Sequence, residues 1–474
     1  MQKTNSDIKQ VLSCIQEKYS KIGAKVFYAD GYSGKSNPKS DVLRALSLLK
    51  LSGSAVFISE SKSQAEELTG QLLSYLFKHT PGYQVVQLDI GALIAADKEY
   101  AEVNLKNIIH DLAALSGGLM LFVTALEKAA KEKSVISVFR ESLAQKSVQI
   151  LSVVNMKEFH ALDKIPELSG FLQFVLAGKN NIRAKRNKSV LIIGASSLFG
   201  NAVYRYFSRE YETVTGTGFS KASSLGFEKL DVTLEEEIKT YFAKHSAFDI
   251  VIYVAGEANA DVAEKERNRA HALNVDAISS IARHVKKCKF VYISSEYIFD
   301  GKKGPYGSSS KVQPINYYGC TKLEGEAASL KNFPDGLIIR LGALYGYNGP
   351  YDKETTVSKL IKSFNKPEPL KADNIQIKHP VLLEDAAATL LKLLDYGVSG
   401  VYQVNGPEGL NKQEMAEKIA AVRNKIIGEI FAYPIIGIEQ PGVAAKPLNT
   451  HMVNVDTPRP FEEGIVYMLN QQQV

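Results

Sequence analysis

The chain has 474 residues, of which 45% are hydrophobic and 23% charged, and its formal net charge is +6. This length suits two or three domains of roughly 150 residues each, and the composition is typical of globular proteins. A charge excess this small argues against a nucleic-acid partner. The three cysteines, Cys14, Cys288 and Cys320, lack the spacing of a metal site and suit a reducing compartment.

Hydropathy along the chain argues against secretion and membrane insertion. The first ten residues, MQKTNSDIKQ, contain no apolar segment, and no apolar run approaches the ~20 residues that span a bilayer. We therefore expect a cytoplasmic protein without a membrane anchor. The densest basic run, residues 179–188, is interpreted as a solvated linker rather than as a phosphate-binding patch. It separates an N-terminal region, residues 1–178, from a C-terminal region.

In the N-terminal region, apolar strand-like runs alternate with helix-like segments. The runs are residues 55–58, 85–88, 119–123 and 150–154. This alternation predicts an α/β domain in which helices cover a parallel sheet.

The C-terminal region repeats this alternation with more strands. Its apolar runs are residues 189–193, 213–215, 250–254, 290–293 and 337–340. Their spacing predicts a doubly wound Rossmann domain over residues 189–350. Beyond Tyr347 the pattern is less regular. It predicts a small substrate-side lobe over residues 351–474, interleaved with the Rossmann domain and containing a helix from Asn411 to about Ala421.

A glycine-containing loop follows the first strand of the C-terminal region, where residues 194–200 read GASSLFG. A glycine at the strand end permits a tight turn, and the next helix offers free N–H groups and a positive dipole end to a pyrophosphate. Because the loop lies at the first strand–helix junction, it predicts a dinucleotide site. The predicted contacts are Gly194, Ser196, Ser197, Leu198 and Gly200.

The end of the second strand bears on which dinucleotide binds. Domains that prefer NAD usually place an acid here, and this chain has none. Ser220 and Lys221 instead suit a 2′-phosphate, which favours NADP over NAD. The alternative is that Lys221 is only an exposed loop lysine. Ala255 and Gly256 follow the fourth strand, where small residues let the backbone approach the cofactor.

Tyr318 and Lys322 have the Y-x-x-x-K spacing, which places both side chains on one face of a helix. A nearby ammonium favours the phenolate and lowers the pKa of a tyrosine, so the phenol can exchange a proton with a carbonyl oxygen at neutral pH. In a chain with 23 tyrosines this spacing also arises by chance. Its meaning therefore depends on the surrounding motifs.

Those motifs lie on both sides of the pair. Residues 291–301 read VYISSEYIFDG, and Gly304-Pro-Tyr306, Pro314 and Tyr318-Gly-x-x-Lys322 follow in order. The arrangement resembles the dTDP-4-dehydrorhamnose reductase family of extended short-chain dehydrogenases/reductases. It also resembles the regulatory β subunit of methionine adenosyltransferase. The resemblance covers roughly residues 189–450.

The resemblance implies a role for each matching residue. Ser295 would hydrogen-bond the reacting carbonyl, Tyr318 would donate the proton, and Lys322 would be its electrostatic partner and reach the nicotinamide ribose. Glu296 and Lys446 would bind the substrate, although relatives often have arginine at the second position, and lysine lacks its bidentate fork. At the adenine ring, the resemblance assigns Asp231, together with the adjacent Val232.

Two functions follow from this resemblance. The first is NADPH-dependent reduction of a keto group, at C4 of a nucleotide-linked deoxysugar. The second is a non-catalytic NADP-binding protein that regulates or scaffolds a partner, as the β subunit does. The intact set Ser295, Tyr318 and Lys322 favours the enzyme. The sequence does not decide whether the chain forms a homo-oligomer.

The N-terminal region resembles the first nucleotide domain of Clp-type AAA+ ATPases, at residues 88–95, LDIGALIA, and at residues 100–102. The resemblance aligns the phosphate-binding G-K-T with residues 64–66, QAE, and the magnesium-binding acids with residues 124–125, TA. The charged groups that phosphoryl transfer requires are missing. We therefore expect a degenerate P-loop-like domain that hydrolyses no nucleotide and offers a surface to a protein partner.

Overall fold

The computed structural model describes residues 13, 17, 19–22, 24–27 and 40–472, apart from 80–83, 114–118, 178–184, 221, 246–247, 286, 348–353, 367, 428–433 and 439–443. Cys14, Lys221 and residues 179–184 of the predicted linker lie outside the described residues. The chain divides into two units: residues 1–178 with 453–457, and residues 179–452 with 458–474. The predicted domain boundaries at 189 and 351 stay predictions. The interpretation of residues 179–188 as a solvated linker is wrong for its last three residues, because they begin the strand Arg186–Ile193 and Arg186 pairs with Glu210 and Asp395.

The first unit contains a six-stranded sheet. Its strands are β1 (Ala24–Phe27), β2 (Ser54–Ile58), β3 (Gln84–Asp89), β4 (Leu119–Thr124), β5 (Gln149–Val154) and β6 (Phe174–Leu176). Their order across the sheet is β1-β3-β4-β5-β2-β6, with β1 antiparallel to β3 and the other pairs parallel. The four predicted strands all lie in this sheet, whereas β1 and β6 were not predicted.

Helices connect the strands of the first unit. They are Ser40–Ser52, Lys62–His79, Ile90–Ala96, Ala101–Ala113, Lys133–Ala144, Met156–Asp163 and Pro166–Ser169. All five residues of β2 are buried, as expected for a parallel strand covered on both faces. Its Phe57 belongs to a core cluster with leucines of the helices Ser40–Ser52 and Lys62–His79.

The second unit is built on a seven-stranded parallel sheet. Its strands are β7 (Arg186–Ile193), β8 (Tyr211–Gly218), β9 (Glu228–Lys229), β10 (Ile250–Tyr253), β11 (Lys289–Ser295), β12 (Leu337–Leu341) and β16 (Gly400–Val404). The order is β9-β8-β7-β10-β11-β12-β16. Strand order therefore reverses between β7 and β10, which confirms the predicted doubly wound Rossmann fold and places a ligand-binding crevice at that edge.

Helices of the second unit that flank this sheet are Leu198–Glu210, Glu235–Lys244, Ala260–Lys265, Arg267–His271, Ala277–His284, Tyr317–Asn332 and Leu383–Tyr396. A π-helical turn, Ala272–Asp276, joins two of them. Turns of this kind occur as local bulges and are frequent at functional sites.

A smaller cluster of elements follows β12. Its strands are β13 (Leu344–Tyr345), β14 (Leu370–Asp373), β15 (Val381–Leu382) and β17 (Ile435–Ile438), and its helices are Thr356–Ser363, Lys412–Ile427 and Phe461–Gln472. Buried Met415, Ile419, Phe461 and Ile465 share one core there. The predicted helix from Asn411 is Lys412–Ile427, longer than expected. Among the described residues, no helix combines the length and apolarity needed to cross a membrane.

Candidate active site

A cavity of about 1160 Å³ opens at the carboxyl ends of β7, β8, β10 and β11. It is lined by the predicted residues Gly194, Ser196, Ser197, Leu198, Ser220, Asp231, Val232, Ala255, Gly256, Ser295, Glu296, Tyr318, Lys322 and Lys446. Gly200 does not line it, because this residue is buried in the packing of the helix Leu198–Glu210 on the loop. One connected cavity therefore brings together nearly all the residues that the sequence singled out.

The glycine-containing loop after β7 turns tightly against β10. Gly194 has a φ of +94°, and a Cβ at this residue would lie 2.5 Å from the backbone nitrogen of Ala255. Only glycine fits this combination of conformation and close approach. Ser197 caps the following helix, since its Oγ accepts a hydrogen bond from the N–H of Gly200 at 3.1 Å. The loop thus presents a helix N-terminus to the cavity.

The far end of the cavity lies beside β8 and the segment after β9. Phe219 is 49% exposed and lines the cavity together with Ser220. Asp231 is held in place because its Oδ1 accepts hydrogen bonds from the N–H and the hydroxyl of Thr233, at 2.9 and 2.7 Å. The ammonium of Lys229 lies 5.3 Å from the centre of the Phe219 ring. The sequence analysis gave no site role to Phe219 or Lys229.

Tyr318 and Lys322 lie in the first turns of the helix Tyr317–Asn332, which Asn316 caps through the N–H of Gly319. Ser295 ends β11, and its side chain is near enough to the Tyr318 phenol to lower the pKa of that phenol. The ammonium of Lys322 lies 4.3 Å from the centre of the Tyr292 ring. The end of β11 and the first turns of this helix therefore carry the three predicted catalytic side chains to the same cavity.

The protonation of this pair differs from the expectation. Burial raises the pKa of Tyr318 to about 12, and the hydrogen bond with Ser295 opposes this rise only partly. Burial also lowers the pKa of Lys322 to about 7. The predicted lowering of the Tyr318 pKa by Lys322 is thus wrong for this site, because desolvation disfavours both charged forms. Tyr318 is a protonated phenol at neutral pH.

Asn274 and Lys378, which the sequence analysis did not select, hold other residues of the site in place. Asn274, fully buried in the π-helical turn, donates to the Thr321 hydroxyl at 2.8 Å and accepts from the N–H of Glu257 at 3.1 Å. It thereby ties the loop after β10 to the helix that carries Tyr318. The other residue, Lys378, lines the cavity and lies 2.9 Å from Glu296, a residue 82 positions away. No local spacing links such distant positions.

Lys446 lies at the substrate-side edge of the cavity. Its side chain is 36% exposed, and its ammonium is 3.8 Å from the carboxylate of Asp261. Lys359 and Lys378 line the same cavity. Lys446 and Lys378 pair with Asp261 and Glu296, and Glu354 also lines the cavity, so this edge carries charges of both signs. The described residues contain no group of histidines, cysteines and acids that could hold a metal ion.

The strand order and the cavity at the switch point define a Rossmann-fold protein. Comparison with known proteins narrows the class, because residues 188–471 match the family described as "RmlD substrate binding domain". The chain belongs to this family.

Individual relatives include proteins of different roles. Over 293 residues the chain is 32% identical to methionine adenosyltransferase 2 subunit beta of Bos taurus, covering 59% of this chain and 86% of the relative. It is 29% identical to a probable low-salt glycan biosynthesis reductase of Haloferax volcanii, covering 49% of this chain and 79% of the relative.

A solved structure of similar fold is dTDP-4-dehydrorhamnose reductase from Bacillus anthracis in complex with NADP. It is 24% identical, with a TM-score of 0.52, and the match covers 60% of this chain and all of that one. At this identity the likeness supports the fold of the second unit.

Proposed function

We propose that the second unit is an NADPH-dependent reductase of a keto group, with C4 of a nucleotide-linked deoxysugar as the reacting carbon. The observation that carries the proposal is the convergence of Ser295, Tyr318 and Lys322 in the cavity that the loop 194–197 also lines. Membership of the family supports a reductase, and the Haloferax volcanii relative bears a reductase name.

The cavity fits a dinucleotide. Its loop has a glycine that no larger residue can replace, and a Cβ at Gly218 would contact the Ser196 side chain. The residues that would hold NADP are Gly194, Ser196, Ser197 and Leu198 at the phosphates, Ser220 and Lys221 at the 2′-phosphate, Asp231 and Val232 at adenine, and Ala255, Gly256, Tyr318 and Lys322 toward the nicotinamide. Bound NADPH supplies a hydride.

The protein's own residues supply the proton and hydrogen-bond the reacting oxygen. Tyr318 lines the cavity and is a protonated phenol at neutral pH, so it can donate its proton to the oxygen of a bound ketone as negative charge develops on that oxygen. Ser295, which lines the same cavity, can donate a second hydrogen bond to the same oxygen. Lys359 and Lys446, which line the cavity, would contact the diphosphate of a nucleotide sugar.

The test is a turnover screen with the purified chain. NADPH oxidation is followed at 340 nm with dTDP-4-dehydrorhamnose and with 4-keto sugars on other nucleotides. We expect oxidation with at least one of them, faster with NADPH than with NADH. Tight NADPH binding without oxidation across the whole panel would reject the reductase.

The second candidate is a cofactor-binding regulatory subunit. It is favoured by the 32% identity to a methionine adenosyltransferase subunit, which spans 86% of that protein. Affinity purification from the native cell is then expected to recover a partner enzyme in a fixed ratio. The cellular phenotype of Tyr318→Phe separates the two candidates, because a regulator tolerates this change and a reductase does not.

We further propose that the first unit is an AAA-like domain that no longer binds nucleotide and serves contacts with a partner. The parallel strands β2 to β6 follow the order β3-β4-β5-β2-β6 and are connected by helices, in keeping with the α/β arrangement that the resemblance implies. Only Ser59, Glu60 and Ser61 connect β2 to the helix Lys62–His79. This connection is too short for the G-x-x-x-x-G-K phosphate loop. Magnesium-dependent ATP hydrolysis that maps to this unit would reject the proposal.

A further inference from the structure

Two stacked tyrosines lie in the core of the second unit, close to the candidate site. Tyr253 of β10 and Tyr292 of β11 are register partners on neighbouring parallel strands. Both side chains are fully buried, and their rings lie nearly parallel with centroids 6.2 Å apart. Burial raises the pKa of both phenols, so each hydroxyl keeps its proton and can donate a hydrogen bond.

The hydroxyls fix both rings to the π-helical turn. Tyr292 donates to the carbonyl of Asn274 at 3.0 Å, and Tyr253 donates to the carbonyl of Leu273 at 2.6 Å. Both carbonyls belong to that turn. A Cβ at Gly325 would overlap the Tyr292 hydroxyl, so the glycine leaves the room in which this hydroxyl lies. The ring of Tyr292 therefore has a defined position.

Among the described residues, Tyr292 but not Tyr253 has a cation against the face of its ring. The ammonium of Lys322 lies over the Tyr292 ring, 4.3 Å from its centroid. The electron-rich face of an aromatic ring attracts a cation, and the attraction is stronger where water is excluded. Because Lys322 is only 7% exposed, the contact should stabilise the charged form of this lysine.

The acid that follows Lys322 on the same helix is engaged elsewhere. Glu326 is paired with the guanidinium of Arg340 at 2.8 Å, and it accepts a hydrogen bond from the hydroxyl of Ser294 at 2.6 Å. Glu326 acts on Lys322 only at longer range, and no carboxylate among the described residues forms an ion pair with this lysine. Tyr318, one turn earlier, is a neutral phenol at neutral pH. The Tyr292 ring is thus the close partner of the ammonium.

We infer that Tyr292 is a positioning residue, whose ring holds the Lys322 ammonium at the wall of the cavity, where the ribose of a bound cofactor would lie. Tyr292 acts through Lys322, because Lys322 lines the cavity and Tyr292 does not. The inference rests on the proposed function for the role of Lys322. The contact between ring and ammonium is a property of the folded chain, so it can be tested without cofactor.

The first experiment changes the charge on the ring face and keeps the shape of the ring. Tyr292→Phe is compared with a chain that carries 3,4,5-trifluorophenylalanine at the same position, since fluorine withdraws electrons from the ring face and adds little bulk. The titration of Lys322 is followed in the full chain by ¹³C NMR of the lysine ε-carbons, and Lys322→Met identifies its signal. The wild-type lysine should titrate near pH 7, below the ordinary value of 10.5.

We expect the pKa of Lys322 to be lower by roughly one unit in the trifluorinated chain than in Tyr292→Phe, as the loss of a desolvated contact between cation and ring predicts. Tyr292→Phe itself should stay closer to wild type, because it keeps the ring and loses only the hydroxyl. Equal titration in the two chains would overturn the inference, since a merely structural role depends on the shape of the ring and not on its charge.

The second experiment measures NADP affinity by calorimetry at pH 6, where Lys322 of the wild type is charged. Tyr292→Leu is compared with Tyr253→Leu, a matched control that removes an equally buried ring and an equivalent hydrogen bond to the π-helical turn but no cation contact. We expect Tyr292→Leu to weaken NADP binding roughly tenfold, as for one lost hydrogen bond from a charged group. Tyr253→Leu should weaken it no more than a few-fold.

Equal losses of NADP affinity in Tyr292→Leu and Tyr253→Leu would overturn the link between Tyr292 and the cofactor. Thermal unfolding of each variant identifies misfolded protein, and the pair of ring variants at position 292 keeps the test decisive if Tyr292→Leu does not fold. A wild-type chain that binds no NADP would reject the proposed function. The NMR titration would then still decide whether Tyr292 holds Lys322.

Discussion

Two strand-to-helix junctions in this chain have similar topology and different chemistry. After β7, the loop 194–197 contains a glycine in a left-handed conformation and opens a helix toward a large cavity. After β2, Glu60 is exposed, and its N–H donates a hydrogen bond to the side chain of Gln64. The N–H of Gln64 in turn donates to the hydroxyl of Ser61. A parallel sheet supplies a helix N-terminus at both places. Only the loop residues decide whether that terminus can receive a phosphate.

The contrast between the two junctions predicts cofactor chemistry at the second unit alone. The largest expected effect is therefore on NADPH oxidation, from a change at the proposed proton donor Tyr318. Tyr318→Phe removes the phenolic proton and keeps the ring, so NADPH oxidation should fall by roughly 10²- to 10⁴-fold, the usual contribution of a general acid. The cofactor should still bind, because the loop is untouched. A variant that keeps full turnover would transfer the acid role to another group.

The next effect concerns the loop glycine. Gly194→Ala puts a Cβ against the nitrogen of Ala255 at a φ of +94°, and we expect NADP affinity to fall at least tenfold, measured by NADPH fluorescence. The matched control is Gly226→Ala. Its φ of +73° imposes comparable backbone strain, but a Cβ there meets nothing within 4 Å. Equal losses in the two variants would show that strain, not crowding at the cofactor loop, is responsible.

A pH-dependent effect on stability is expected at Lys322. Its folded-state pKa of about 7 lies below the ordinary value of 10.5 because the residue is buried. Between these values the unfolded chain binds more protons, so this group's contribution to the free energy of unfolding rises with pH. Thermal unfolding of wild type and Lys322→Met, compared at pH 7 and pH 9, should show wild type gaining relative to the variant at the higher pH. A constant difference would contradict the buried, titrating lysine.

The smallest effect compares the two helix caps directly. Ser61→Ala and Ser197→Ala each remove one capping hydroxyl and should each cost about 1 kcal/mol of unfolding free energy. Only Ser197→Ala should also change NADP affinity, because Ser197 lines the cavity. Altered cofactor binding in Ser61→Ala would break the contrast between the junctions.

The strands that sequence alone predicted are those with strong local signals. The run 55–58 corresponds to β2, buried along its whole length. The strands it missed are short, or lie far along the chain from their neighbours: β1 pairs with β3, and β16 pairs with β12 across about sixty residues. Their pairing depends on tertiary contacts that no window of sequence contains.

The residues of the candidate site also fall into those that the sequence predicts and those that it does not. Gly194, Ser295, Tyr318 and Lys322 carry motif spacings and could be selected from the sequence. Lys378 could not, because its significance arises only when folding brings it to Glu296. The direction of the Tyr318 pKa could not be predicted either. Spacing shows that a lysine is near, but only the structure shows that burial dominates the pKa of both groups.

The late position of β16 in the chain bears on how the second unit forms during synthesis. Strands β7 to β12 and the loop 194–197 leave the ribosome before Lys378, β16 and Lys446. Domains generally fold as units, and those nearer the N-terminus of a chain fold first during synthesis. Because β16 belongs to the same sheet as β7, the loop 194–197 is synthesised long before the residues that complete the sheet and the lining of the cavity, and it must wait for them.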